Sequence, residues 1–358
     1  MKLLTLIFIF FVAFSCSLIL TPLTRTLGRR LRIIDLPGEL SIHTRHIPRT
    51  GGLAMFIGFL MAIGYAWTTG LLDNRGGTFI GIVIGAVVIF LAGLLDDIHR
   101  ISPRQKFLWE FLGAAIAVSL GLRVGTFPLL GVSVFLGLFY LVGGANALNL
   151  LDGMDGLAAG TTAITAFFLA ILAAGQGKTL VLVLALATFG ATLGFLPYNF
   201  NINFRFRNSK FVIPNSQSTI FMGDAGSLFL GFILSSMAIL FTTQPYDLVG
   251  FVTPLVAIFI PILDTALAIL RRFTCKADLF SGDRQHVYDL LARRGLGNRR
   301  AVLMIYLATF LLGSLTLIMI RLSPITAVLL ATGVVMIMVL IAIRLGATKV
   351  PVSRKHVD

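Results

Sequence analysis

NALNLLDGMDGLAAG, residues 146–160, is the stretch that decides the fold. It holds two asparagines three apart, Asn146 and Asn149, and two carboxylates three apart, Asp152 and Asp155, each followed by a glycine. Apolar runs long enough to span a bilayer lie on both sides, at 126–144 and 157–174. Carboxylates at membrane depth are costly and by default point to function. The plain alternative for this stretch alone is a Gly-rich turn whose acids face water.

Working outward, the same apolar character runs through the chain. Of 358 residues, 57% are hydrophobic and 12% charged, and the mean hydropathy is +0.95. A soluble chain is nearer half apolar and a quarter charged. The composition therefore implies an all-α polytopic membrane protein, one integral membrane domain over residues 1–358, and excludes a sizeable soluble domain. Cys16 and Cys275 do not suggest a disulfide framework. The net charge of +14 would suggest nucleic acid in a soluble protein. Here the basic residues sit in short loops, which speaks for membrane orientation and anionic partners such as membrane lipids, and against nucleic acid.

A helical span needs about 20 mostly apolar residues. Eleven stretches qualify: 3–21, 51–69, 78–95, 107–122, 126–144, 157–174, 179–197, 219–242, 248–270, 301–320 and 325–345. The first is read as a retained span, since no small-x-small cleavage site follows it. Alternate loops, with the tail from Arg344, hold 24 of the 29 lysines and arginines. The positive-inside rule makes those loops cytoplasmic, the N-terminus outside and the C-terminus cytoplasmic. Twelve of the fifteen acids fall on the same side.

The inner loops 22–50, 96–106, 145–156, 198–227 and 271–300 each carry a polar group at the mouth of a span, and together they form the expected catalytic face. In the first, Asp35, Pro37, His43, Pro48, Gly51 and Gly52 stand out, and Arg45, His46 and Arg49 could meet phosphate. In the second, adjacent Asp96 and Asp97 repel each other unless a cation or shared proton intervenes. Oxygen ligands of this kind suit Mg²⁺, and Lys106 can act as a point charge for a phosphate. In the third, Asn146, Asn149 and Asp152 share one helical face, with Asp155 continuing the series; these groups suit a metal, a ribose or a base edge. In the fourth, Asp224 lies between glycines, and Ser227 with the next amides can open a helix that favours an anion. Asp264, deeper in the ninth span, is expected to pair with Arg271 or Arg272. In the fifth, Arg284 and His286 could grip a pyrophosphate, while Arg293, Arg294, Arg299 and Arg300 are expected to obey the orientation rule or touch anionic lipid. A secondary transporter of anionic solutes fits intramembrane acids as well, but the polar groups gather at one face and no inverted repeat is visible.

The elements DLP…H…P..GG, LLDD…K, NALNLLDGMDGL, FMGDAGS and DRQH, in this order from Asp35 to His286, resemble the polyprenyl-phosphate N-acetylhexosamine-1-phosphate transferases. That family includes the undecaprenyl-phosphate GlcNAc-1-phosphate transferases and the phospho-MurNAc-pentapeptide translocases. The resemblance implies transfer of an N-acetylaminosugar-1-phosphate from a UDP-aminosugar, UDP-GlcNAc first, to undecaprenyl phosphate, with UMP released. It implies a bacterial inner-membrane enzyme with a cytoplasmic site, dependent on Mg²⁺ with Mn²⁺ as a substitute, and often a homodimer. By position it implies catalytic roles for Asp96, Asp97, Lys106, Asp152, Asp155 and His286. Substrate binding falls to His43, Asn146, Asn149, Asp155, Ser227, Arg284 and His286, and metal binding to Asp224, Asn149 and Asp97. Where GlcNAc-type members usually read HIHH, this chain reads HVYD, with Tyr288 and Asp289 in place of two histidines. The muramoyl type carries Thr-Pro-Thr-Met-Gly-Gly before the second span, and here that place reads IPRTGGLAM. These departures favour an aminosugar enzyme and leave the sugar open among GlcNAc, GalNAc and acetamido-deoxyhexoses.

Overall fold

The computed structural model describes residues 2–36, 46–72, 76–200, 218–242, 244–276 and 285–348. His43 and Arg284, both expected at the site, lie outside the described residues. The rest is almost wholly helical. In chain order the helices are α1 (Lys2–Arg30), α2 (Gly51–Thr68), α3 (Gly76–His99), α4 (Pro103–Ser119), α5 (Leu130–Leu151), α6 (Leu157–Gly175), α7 (Thr179–Asn199), α8 (Gly223–Phe241), α9 (Leu248–Ala257), α10 (Phe259–Thr274), α11 (Val287–Leu291), α12 (Gly297–Met319) and α13 (Pro324–Arg344). Two short strands, β1 (Ile34–Asp35) and β2 (Ile47–Pro48), pair antiparallel with Ile34 opposite Pro48.

Among the described residues nine helices are long and apolar enough to cross a membrane, or ten if the bent pair α9–α10 is one span. The remaining expected span corresponds to α4, at 17 residues slightly short of the others. A single helix is expected over 248–270, but the chain bends there by 78° between α9 and α10. Pro261 explains the break: it has no N–H to give the carbonyl of Ala257 four residues back.

Lipid tails are as apolar as leucine, so helices in a bilayer associate through close packing of small residues. Helix α8 shows this. It is nearly wholly buried, and it meets its neighbours at Gly52 against Gly226, Gly93 against Ala225 and Gly144 against Gly231. Helices α1 and α13 instead present most of their large apolar side chains outward. The central α8 thus packs against α2, α3 and α5. Its N-terminus emerges at the end of the bundle where α3 and α5 finish and α2, α4 and α6 begin.

Candidate active site

Four helix ends build the site. The start of α4 is fixed by a capping box: Ser102 Oγ accepts from the Gln105 amide and Gln105 Oε1 accepts from the Ser102 amide, with Pro103 in the first turn. That box sets the turn carrying Lys106. The Lys106 ammonium reaches across to two helices, donating to Asp96 Oδ2 at 3.3 Å and to Asp224 Oδ2. The Asp96 and Asp224 carboxyls also approach each other. A cation between them relieves the repulsion of two acids at a poorly hydrated helix mouth.

Asp97 points the other way. Its Oδ1 accepts from the Asp224 amide and its Oδ2 from the Ala225 amide, both at 3.0 Å. The helix therefore opens at Gly223 rather than Ser227, and the anion on its first turn is the protein's own carboxylate. Gly223 has φ +69°, and a Cβ there would strike the Asp97 carboxyl and the Arg49 carbonyl. Glycine is needed for both reasons.

Ser227 is completely buried. Its hydroxyl donates to the Gly223 carbonyl at 3.1 Å and accepts from Asn149 Nδ2 at 2.9 Å. Ser227 therefore stands behind Asn149 as its support, rather than facing a substrate. Asn149 keeps Oδ1 without a partner among the described residues. One turn earlier on α5, Asn146 donates to Glu110 Oε2 and to the Val142 carbonyl at 3.0 Å. Glu110 is 1% exposed.

The helical face read from Asn146 onward ends sooner than its spacing suggests. Helix α5 stops at Leu151, and its last turn and the DGMDG turn after it are held by three side chains from distant elements. Asn199 Oδ1 accepts from the Gly156 amide at 2.9 Å. Tyr306 donates to the Gly156 carbonyl, and Tyr288 to that of Leu150 at 3.2 Å. Asp155 Oδ2 accepts from the Ser218 amide at 2.7 Å. The half-buried Asp152 carboxyl is pushed well above the usual carboxylate range, first by desolvation and then by the charges of Asp224, Asp155 and Asp97, with Arg49 opposing. Groups from four segments thus lie within electrostatic reach of Asp152. Arg49 is oriented by Asp35 at 2.6 Å.

The fifth segment arrives through His286. Its Nδ1 meets Asp264 Oδ2 at 2.6 Å, and Asp264 Oδ1 accepts from the Val287 amide at 2.8 Å. Asp264 therefore holds His286 instead of pairing with Arg271 or Arg272. Arg271 donates to the carbonyls of Gln285 and Ala347 at 3.1 and 2.6 Å. Arg299 also departs from its expected lipid-facing place. It donates to the Phe200 carbonyl at 3.2 Å, lies over the Phe200 ring and acts on Asp155.

So Asp96, Asp97, Lys106, Asn149, Asp152, Asp155 and Asp224 converge, while Asn146 and Ser227 lie one layer behind. Glu110, Asp264, Tyr288 and Arg299 were not expected among the site residues. Among the described residues no three of His, Cys, Asp and Glu form a metal-holding group. The candidate ligands are nonetheless oxygens, Asp224 beside the Lys106 ammonium and the Asn149 amide oxygen, which has no partner among the described residues. That chemistry fits a hard cation held by one or two protein oxygens and substrate phosphates.

Known proteins are similar to this chain over most of its length. The glycosyl transferase family 4 profile matches residues 79–242. A probable undecaprenyl-phosphate N-acetylglucosaminyl 1-phosphate transferase of Bacillus subtilis (strain 168) is 34% identical over 319 residues, covering 87% of this chain and 84% of the relative. The decaprenyl-phosphate N-acetylglucosaminephosphotransferase of Mycobacterium tuberculosis (strain ATCC 25618 / H37Rv) is 32% identical over 318 residues, covering 79% and 74%. The undecaprenyl-phosphate alpha-N-acetylglucosaminyl 1-phosphate transferase of Escherichia coli (strain K12) is 28% identical over 302 residues, covering 81% and 77%.

Proposed function

This chain belongs to the polyprenyl-phosphate N-acetylhexosamine-1-phosphate transferases of glycosyl transferase family 4, and on that premise we propose that it transfers GlcNAc-1-phosphate from UDP-GlcNAc to undecaprenyl phosphate. The proposed site works from the cytoplasmic face of the bacterial inner membrane, a reading supported by the excess of lysine and arginine in the loops on its side. The observation that carries this reading is the Lys106 bridge between Asp96 and Asp224, set beside Asp97 on the first turn of α8.

An oxygen of the lipid phosphate attacks the β-phosphorus of the nucleotide sugar. The bond from that phosphorus to the bridging oxygen breaks, UMP leaves with the electron pair, and polyprenyl-diphospho-GlcNAc forms. The protein contributes position and charge, as phosphoryl transfer requires. Asp96, near the C-terminal end of α3, accepts the proton of the lipid phosphate. Lys106 and Arg49 meet phosphate oxygens. Asp152 and Asp155, on the turn after α5, bind the uridine, and His286, held by Asp264, faces the sugar diphosphate. Asp224 and the Asn149 oxygen would hold Mg²⁺, with Mn²⁺ as a substitute, and Asp97 fixes the turn that presents Asp224. Bound there, the cation would neutralise diphosphate charge.

Purified protein is to be incubated with undecaprenyl phosphate and UDP-GlcNAc, UDP-GalNAc or the acetamido-deoxyhexose nucleotides. The expected result is UMP release and a lipid product heavier by GlcNAc phosphate. UMP release that does not require the lipid phosphate, or no lipid product from any donor, would reject the assignment.

A further inference from the structure

Tyr288 lies two residues after His286, and its surroundings give it a task of its own. The side chain is buried, like that of His286 beside it. Its ring lies parallel to the His286 ring, with centroids 5.2 Å apart and planes 2° apart. Its hydroxyl donates to the carbonyl of Leu150. That carbonyl belongs to the last turn of α5, where helix carbonyls have no partner of their own.

Gly153 closes the argument. A Cβ on Gly153 would run into the Tyr288 hydroxyl and the ring carbons behind it. The backbone of Gly153 is not in the left-handed region, so backbone strain does not require glycine there, and the nearest atoms a Cβ would meet are those of this ring. Gly153 is small because Tyr288 occupies its side-chain space. One aromatic ring therefore touches both halves of the donor side: the turn that carries Asp152 and Asp155, and the imidazole that Asp264 orients.

We infer that Tyr288 is a positioning residue that locks the Asp152–Asp155 turn to His286 and so sets the affinity for the nucleotide-sugar donor. This deepens the transferase reading and rests on it. Tyr288 contacts Leu150, Gly153 and His286, all on the donor side, so its effect falls on the donor and spares the lipid phosphate.

The test uses the full-length protein in detergent, with UDP-GlcNAc and undecaprenyl phosphate each varied at saturation of the other. Tyr288→Phe keeps the stacked ring and loses one neutral hydrogen bond, so the donor KM should rise about two- to tenfold. Gly153→Ala forces the turn and the ring apart, and the donor KM should rise about ten- to a hundredfold. In both variants the acceptor KM should stay within about twofold of wild type, a split that a general loss of fold would not produce. The double variant should do no worse than Gly153→Ala alone, because both changes strike one contact. Equal rises in both KM values, additive effects, or a Tyr288→Phe enzyme identical to wild type would overturn the inference. The last of these, with an active wild type, leaves the transferase reading intact. A wild type that forms no lipid product overturns that reading and this inference with it.

Discussion

Replacing Asp97 by asparagine isolates what its carboxylate does. Both oxygens accept main-chain amides at 3.0 Å on the first turn of α8. Asparagine offers one oxygen and one NH₂ group, so one amide keeps a neutral partner and the other meets a donor. The loss is one charge-assisted hydrogen bond, about 1.5–3 kcal/mol. The interaction of the charge with the helix N-terminus adds about 0.3–2 kcal/mol. The sum, about 2–5 kcal/mol, acts directly on the placement of Asp224. If it is all felt in the transition state, kcat falls by about thirtyfold to several thousandfold. The assay is the initial rate of lipid-diphospho-sugar formation in detergent, with thermal unfolding followed in parallel. Gly223→Ala should fall by a similar factor without any change of charge, because its Cβ displaces the same carboxyl, and the two changes together should not multiply. A well-folded Asp97→Asn protein with kcat within about threefold of wild type would refute the reasoning, since the magnitudes above leave no room for so small an effect.

Lys106→Met leaves Asp96 and Asp224 facing each other unneutralised, and the transfer rate should drop about a hundredfold to a thousandfold. Recovery of the rate at raised Mg²⁺ would show that charge alone was missing. Glu110→Ala and Asn146→Ala each break the tie between α4 and α5, one turn below Lys106 and Asn149; each should slow transfer, and the double variant should match the worse single one. The folded Asp152 pKa is raised, so between about pH 4 and that value the unfolded chain ionises this group and the folded one does not, and stability declines as pH rises. Asp152→Asn should therefore gain melting temperature over wild type at pH 8 relative to pH 4.5, measured with EDTA present; a pH-independent difference argues against it. Removing divalent cation should weaken UDP-GlcNAc binding about tenfold or more by calorimetry, on the order of one charge interaction at a partly buried site, and equal affinity with and without EDTA would count against the metal assignment.

The apolar runs could be read from sequence because span length is set by the bilayer and not by tertiary contacts. The converging acids could be read because each sits at the end of such a run. What sequence did not reveal was pairing. Lys106 and Asp224 are 118 residues apart, and nothing local says that the lysine meets a carboxylate before it meets a phosphate. Asp264 is followed by two arginines within one or two turns, so a local ion pair was the natural expectation; the bend at Pro261 turns it to His286 instead. Glu110 sits among apolar neighbours in sequence, and its partner Asn146 is on another helix. Arg299 looks like one of four loop arginines until Phe200 is seen beneath it.

The most consequential of these pairings is Asp97 with α8. A helix N-terminus at a membrane mouth is a ready anion site, and sequence alone would give it to a substrate phosphate. Here it is filled by the protein. Incoming phosphates must then be met by side chains. The described groups around Asp152 supply the carboxyls of Asp96, Asp97, Asp152, Asp155 and Asp224 against the cations Lys106 and Arg49. Left so, the cleft would repel both an anionic donor and an anionic lipid. Protons on some of the acids reduce the surplus, as the raised pKa of Asp152 does in part. The divalent cation of the proposed function would remove it beside the diphosphate. On the proposed function, the excess of acids would make the site poor at binding phosphate by itself and better at binding it together with a metal.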